Sequence, residues 1–275
     1  MEVPIHTIHL FPKLNEKLIE LLRSLTPEEW SKPTLAKQWT VKDIATHLLD
    51  INLRVISQMR DHYVGEPPKK IESYRDLVDY LNRLNADWVK ATKRLSPGVL
   101  IELLEITGKE HHEQLNKLDP FKPALFAVTW AGQTESPNWF HVAREYTEKW
   151  HHQQQIREAV GKPGIMTKEF YSPLIETFMQ ALPYTYRNTK AENGTCIRVS
   201  ITSEIGGTWY LQKETAGWRM TNEGCEVNTE IFIDPDTAWK LFTKGLSPAD
   251  AEKRIQFGGD FSLGKPVLSM LAVMA

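Results

Sequence analysis

Trp39-Thr40-Val41-Lys42-Asp43-Ile44-Ala45-Thr46-His47-Leu48-Leu49-Asp50 is the stretch on which the reading of this 275-residue chain turns. Thr40 and Asp43 form a capping-box-like start: the threonine oxygen can accept an orphan amide, and the aspartate sits in the positive first turn. Behind that cap, Ile44, His47, Leu48, Ile51, Val55 and Met59 recur at the spacing of one helix face. His47 is therefore expected to point inward, at a position where the pattern wants an apolar side chain.

The segments around it read as helices too. Leu14, Leu18, Leu21, Leu22 and Leu25 share a face of a first helix that ends near Thr26-Pro27-Glu28-Glu29. Ser73 and Asp76 open a third helix carrying Leu77, Leu81, Leu84 and Trp88, and Ser96-Pro97 a fourth with Leu100, Leu103, Leu104 and Leu115. Residues 119–137, with Trp130, read as a long irregular connection. Ser136-Pro137 starts the next helix, and Gly161-Lys162-Pro163-Gly164 stops it.

That fifth helix contains Glu148-Lys149-Trp150-His151-His152-Gln153-Gln154-Gln155-Ile156-Arg157. Glu148 and His152 are four apart, so they project from one face with Cβ atoms about 5–6 Å apart, close enough to chelate an ion. His151 is the rival ligand, but four residues before it stands Thr147, a poor one. Alone, each feature has a plain explanation: a solvated Glu-His pair, and a hydrogen-bonded core histidine at His47. Together, an inward histidine on one helix and a chelating pair on another give a three-ligand site of the kind helix bundles assemble. Two His and one Glu suit zinc, with nickel or iron as alternatives, and leave a coordination position open for water or substrate. His6, His9, His62, His111, His112 and His141 lack such a partner pattern, and His111-His112 beside Glu110 and Glu113 reads as a solvated helix face.

After residue 165 the period changes. One more helix (about 167–182) leads to strands expected at 196–202, 208–212, 218–221 and 227–233, with Gly206-Gly207 and Ala216-Gly217 as turns. These make a small antiparallel sheet. Asp234-Pro235 and Ser247-Pro248 then start helices, and residues 264–275 read as a final apolar helix. The fold class is α+β: a bundle domain over 1–165, then a smaller sheet domain over 166–275. A net charge of -2 gives no electrostatic reason for a nucleic-acid or anionic-membrane partner. No apolar run approaches the roughly 18 residues that cross a bilayer, and the first residues lack a signal-peptide pattern, so a cytoplasmic protein is expected. Cys196 and Cys225, without CxxC spacing, read as buried reduced thiols.

Both motif segments resemble those of the DinB-like superfamily, and more closely its mycothiol-dependent maleylpyruvate isomerase branch. The resemblance is carried by Trp39-Thr40-Val41-Lys42-Asp43 through His47, by Glu148 through His152, and by Ile156-Arg157 with Gly161-Lys162-Pro163. It extends to Asp234 through Phe242 and to Gly258 through Gly264, which look like the sterol-carrier-like C-terminal domain that accompanies this branch. It implies that His47, Glu148 and His152 are a metal triad in a four-helix bundle. It also implies a low-molecular-weight thiol as cofactor: mycothiol, or bacillithiol or glutathione as in related enzymes. Many family members have Asp three residues after the second metal histidine; Gln155 stands there, which bears on metal affinity and identity.

By resemblance, the metal would hold the thiol as thiolate for attack on a small electrophilic substrate, giving either isomerisation or S-transfer. Arg54, on the His47 face, and Arg144, four before Glu148, could orient a carboxylate; otherwise they pair with Asp50 or Glu148. The competing reading is a metal- or lipid-binding protein without turnover.

Overall fold

The computed structural model describes residues 2–67, 71–221 and 225–274. They form two compact units: His6–Lys122 with Glu145–Ile165, and the residues up to Ile5 with Pro123–Arg144 and Met166–Met274. The mixed architecture matches the α+β expectation, a helical region followed along the chain by a sheet region. No described helix is long and apolar enough to cross a membrane.

The bundle unit contains α1 (Phe11–Arg23), α2 (Val41–Met59), α3 (Tyr74–Thr92), α4 (Pro97–Asn116) and most of α5 (Asn138–Val160). Leu18, Leu21 and Leu22 of α1, Ile44 and Leu48 of α2, Leu100 and Leu104 of α4 and Ile156 of α5 meet in one buried cluster. Each such side chain contributes about 1.5–3 kcal/mol on leaving water, more than the propensity differences of up to about 0.7 kcal/mol per residue among ordinary residues. The apolar face therefore fixes these helices. Capping fixes where they begin: Thr40 and Asp43 satisfy each other's backbone N–H groups ahead of α2, and Ser73 and Asp76 do the same ahead of α3. Trp88 ties α3 to α2 by donating from Nε1 to the Thr46 carbonyl at 2.7 Å.

α5 departs from amphipathic logic. Every residue from Glu145 to Arg157 is buried except Glu148, which is half-buried, although most of them are polar. Buried polar groups must be hydrogen-bonded to be tolerated. Lys149 Nζ donates to Asn52 Oδ1, and Asn52 Nδ2 donates to Thr107 Oγ1 at 2.9 Å. This chain of contacts links α5, α2 and α4 in the bundle interior.

In the other unit, α6 (Lys168–Met179) and α7 (Leu182–Thr185) precede β1 (Cys196–Ile201), β2 (Gly207–Glu214), β3 (Gly217–Thr221) and β4 (Val227–Ile233). Then come α8 (Pro235–Phe242), α9 (Pro248–Glu252), β5 (Gln256–Gly259) and α10 (Phe261–Gly264). The strand order is β3-β2-β1-β4-β5. Ile197, Val199, Trp209, Leu211 and Ile231 are buried, while Arg198, Tyr210 and Glu230 are half-buried, so one face lies in the core.

Four expectations are corrected. The sheet is mixed, because β1 and β4 run parallel, and it has a fifth strand at β5. The expected helix over 264–275 is α10 followed by a 3-10 turn, Lys265–Ser269, and a non-helical segment; Ala275 lies outside the described residues. Pro266 opens that turn, and the Ala272 N–H is committed to the Phe242 carbonyl at 3.0 Å instead of a helix. Cys196 and Cys225 are joined as a disulfide, with Cα atoms 6.1 Å apart, rather than free. His111 is 1 % exposed rather than solvated, its Nε2 3.8 Å from Glu145 Oε2.

Candidate metal centre

The cap at Thr40 sets the phase of α2, and two turns later His47 falls on the inward face, 5 % exposed. On α5, Glu148 Oε2 lies 3.6 Å from His152 Nε2, as the i, i+4 spacing dictates. The rings of His47 and His152 are 4.7 Å apart and nearly perpendicular. One ligand atom from each of His47, Glu148 and His152 can be chosen so that all lie within 4.8 Å of one another. Among the described residues this is the one group of three or more such side chains placed to hold an ion.

The tautomers suit that use. His152 Nδ1 lies 2.9 Å from the Gln155 amide oxygen, which accepts its proton and leaves Nε2 bare on the Glu148 side. His47 Nδ1 is buried without a hydrogen-bond partner among the described residues. A buried polar atom so left costs about 1–3 kcal/mol, a cost that coordination would remove. Burial, followed by the charges of His152, Arg54, His151 and Lys149, holds the His47 pKa well below the ordinary histidine value. The imidazole is thus neutral, the form that binds metal.

Around these three, burial lowers the Lys149 ammonium to about 8, and the His151 imidazole to about 3. His151 Nδ1 lies 2.9 Å from the Thr147 carbonyl, and His151 is not one of the three side chains brought together to hold an ion. Arg54 Nε is held 2.9 Å from Asp50 Oδ2, the surface-pair alternative, yet it stays close enough to depress His47. Arg144 Nη2 lies 3.0 Å from His141 Nδ1. Sequence reasoning missed the Lys149-Asn52-Thr107 chain, since polar residues between apolar positions carry no mark of burial. It also assigned no contact to Trp39, whose ring lies 4.8 Å from that of His47.

A helix bundle with a two-histidine, one-glutamate cluster, followed by a sheet region, is a DinB-like architecture. The sequence model of the mycothiol maleylpyruvate isomerase N-terminal domain matches residues 11–157, more than half of the chain, and the chain belongs to that family. Two crystal structures share the fold. One, of the mycothiol-dependent maleylpyruvate isomerase, has 12% identity and a TM-score of 0.51, covering 85% of this chain and 86% of its own. The other, of a histidine-to-alanine mutant of the mycothiol-dependent maleylpyruvate isomerase, has 11% identity, a TM-score of 0.51 and the same coverage. No curated protein matches this chain.

Proposed function

We propose that this protein is a metal-dependent enzyme that activates a low-molecular-weight thiol, mycothiol in the first instance, for isomerisation of a maleylpyruvate-like substrate or for S-transfer to an electrophile. The observation that carries the reading is the convergence of His47, Glu148 and His152 within 4.8 Å. A divalent ion there, zinc by preference and nickel or iron otherwise, would lower the pKa of a coordinated thiol and supply a nucleophile at neutral pH.

The chain's own groups do the rest. His47 and His152 would supply an imidazole nitrogen each and Glu148 one negative charge, so the centre would keep a net positive charge with a divalent ion. Gln155 fixes the His152 ring by accepting from Nδ1. Arg54, steadied by Asp50, is the proposed anchor for a substrate carboxylate, with Arg144 as the second candidate. The protein's cysteines are joined to each other, which favours an added thiol as nucleophile.

Elemental analysis of His152→Ala and His151→Ala tests the ligand assignment. His152→Ala should lose metal steeply and His151→Ala should not; equal loss overturns the triad. Turnover of maleylpyruvate should then need both metal and an added thiol, and should survive a Cys196→Ser, Cys225→Ser double substitution. Activity of the metallated protein without added thiol would refute the mechanism.

A further inference from the structure

Trp39 forms a third ring at the centre. Its indole centroid is 4.8 Å from the His47 ring and 6.1 Å from the His152 ring, and those two are 4.7 Å from each other. The three rings close a triangle across both helices. Both imidazoles are buried, whereas the indole is half-buried.

The backbone under it is pinned. Trp39 N–H donates to the Ala36 carbonyl at 2.7 Å, and its own carbonyl accepts from Thr34 N–H at 3.1 Å and Thr34 Oγ1 at 2.8 Å. The next residue is the cap of α2. An aromatic ring on so fixed a base restrains whatever rings it touches. Among the described residues, neither imidazole has a second aromatic restraint on that side beyond the other ligand and, for His152, its neighbour His151. His47 in particular has no hydrogen bond at Nδ1, among the described residues, to orient it.

We propose that Trp39 is the positioning residue of the metal centre: its ring contact with His47 and His152 holds both imidazoles in the orientation that binds the ion. This rests on the triad being a metal site. Trp39 itself donates nothing to the ion. Its effect is to keep two ligand rings from rotating, so it sets affinity and ligand geometry together.

Cobalt loading of Trp39→Phe and Trp39→Leu tests this. Phe keeps a ring at the position, while Leu keeps apolar bulk without one. Trp39→Leu should bind cobalt about 10–100-fold more weakly, the range for lost ligand support, and its visible ligand-field bands at saturation should differ from those of the wild type. Trp39→Phe should restore both. A Leu variant with wild-type affinity and bands, or equal loss in both variants, overturns the proposal. Should the Leu variant not fold, emission decides: cobalt should quench tryptophan fluorescence in the wild type, and Trp39→Phe should remove a distinct part of that quench. An unchanged quench overturns it. If the wild type takes up no cobalt, or takes it up equally well as His47→Ala, the metal reading fails instead.

Discussion

Gln155 accepts from His152 through a neutral amide at 2.9 Å, where a carboxylate would make the imidazole a more basic ligand. Gln155→Leu, which keeps the bulk and loses the acceptor, should weaken metal binding by about 10–100-fold in competition with a chromophoric chelator. Unchanged affinity would remove Gln155 from the support of the ligand. A different histidine governs acid stability. Burial holds His111 at about 4, below the 6.5 of an exposed histidine. Between those values the unfolded chain takes up a proton that the folded chain refuses. Stability that is complete above about 6.5 is therefore lost as pH falls toward about 4. His151, held at about 3, acts in the same direction, so His111→Gln should flatten part of the slope of urea midpoint against pH. A slope as steep as the wild type's would contradict this account.

At the scale of elements, α2 is fixed by its first turn. Thr40 Oγ1 accepts from Asp43 N–H at 3.3 Å, and Asp43 Oδ2 accepts from Thr40 N–H at 2.9 Å. Thr40→Ala should cost about 1 kcal/mol, read as a fall of about 2–4 °C in Tm for a chain of this size, and Thr40→Ser should recover most of it. A Tm unchanged in the alanine variant would show that burial alone sets the start of α2. This cap, and its twin at Ser73 and Asp76, could be read from the sequence because capping is local: donor and acceptor sit three residues apart. The sheet could not be read so completely. Alternation at Ile197, Val199 and Ile201 marks a half-buried strand but says nothing of its partners, and β1 pairs with distant β4 in parallel. β5 carries too few apolar residues to announce itself, since Gly258 and Gly259 fill half of it.

For the molecule as a whole, we propose a domain boundary near residue 165, where helical periodicity gives way to strands. Limited proteolysis should cut between about 161 and 168 or within 119–137, where exposed backbone is expected. Preferred cleavage inside 41–60 would contradict that map. By itself the sequence determined the helices of the bundle and the caps that start them, that a sheet region follows, and which three side chains belong together, but not the end of the chain, where the helix expected over 264–275 is absent among the described residues. All of these are set by periodicity, capping and spacing within a turn or two of chain. Only the tertiary structure decided that Lys149 is buried against Asn52, that His111 lies inside, that Cys196 meets Cys225, and that Trp39 rests on the two ligand rings. The pairs Lys149 with Asn52, Cys196 with Cys225 and Trp39 with His152 join residues far apart in the chain. Such pairings follow from how whole faces pack, and local pattern carries no record of them.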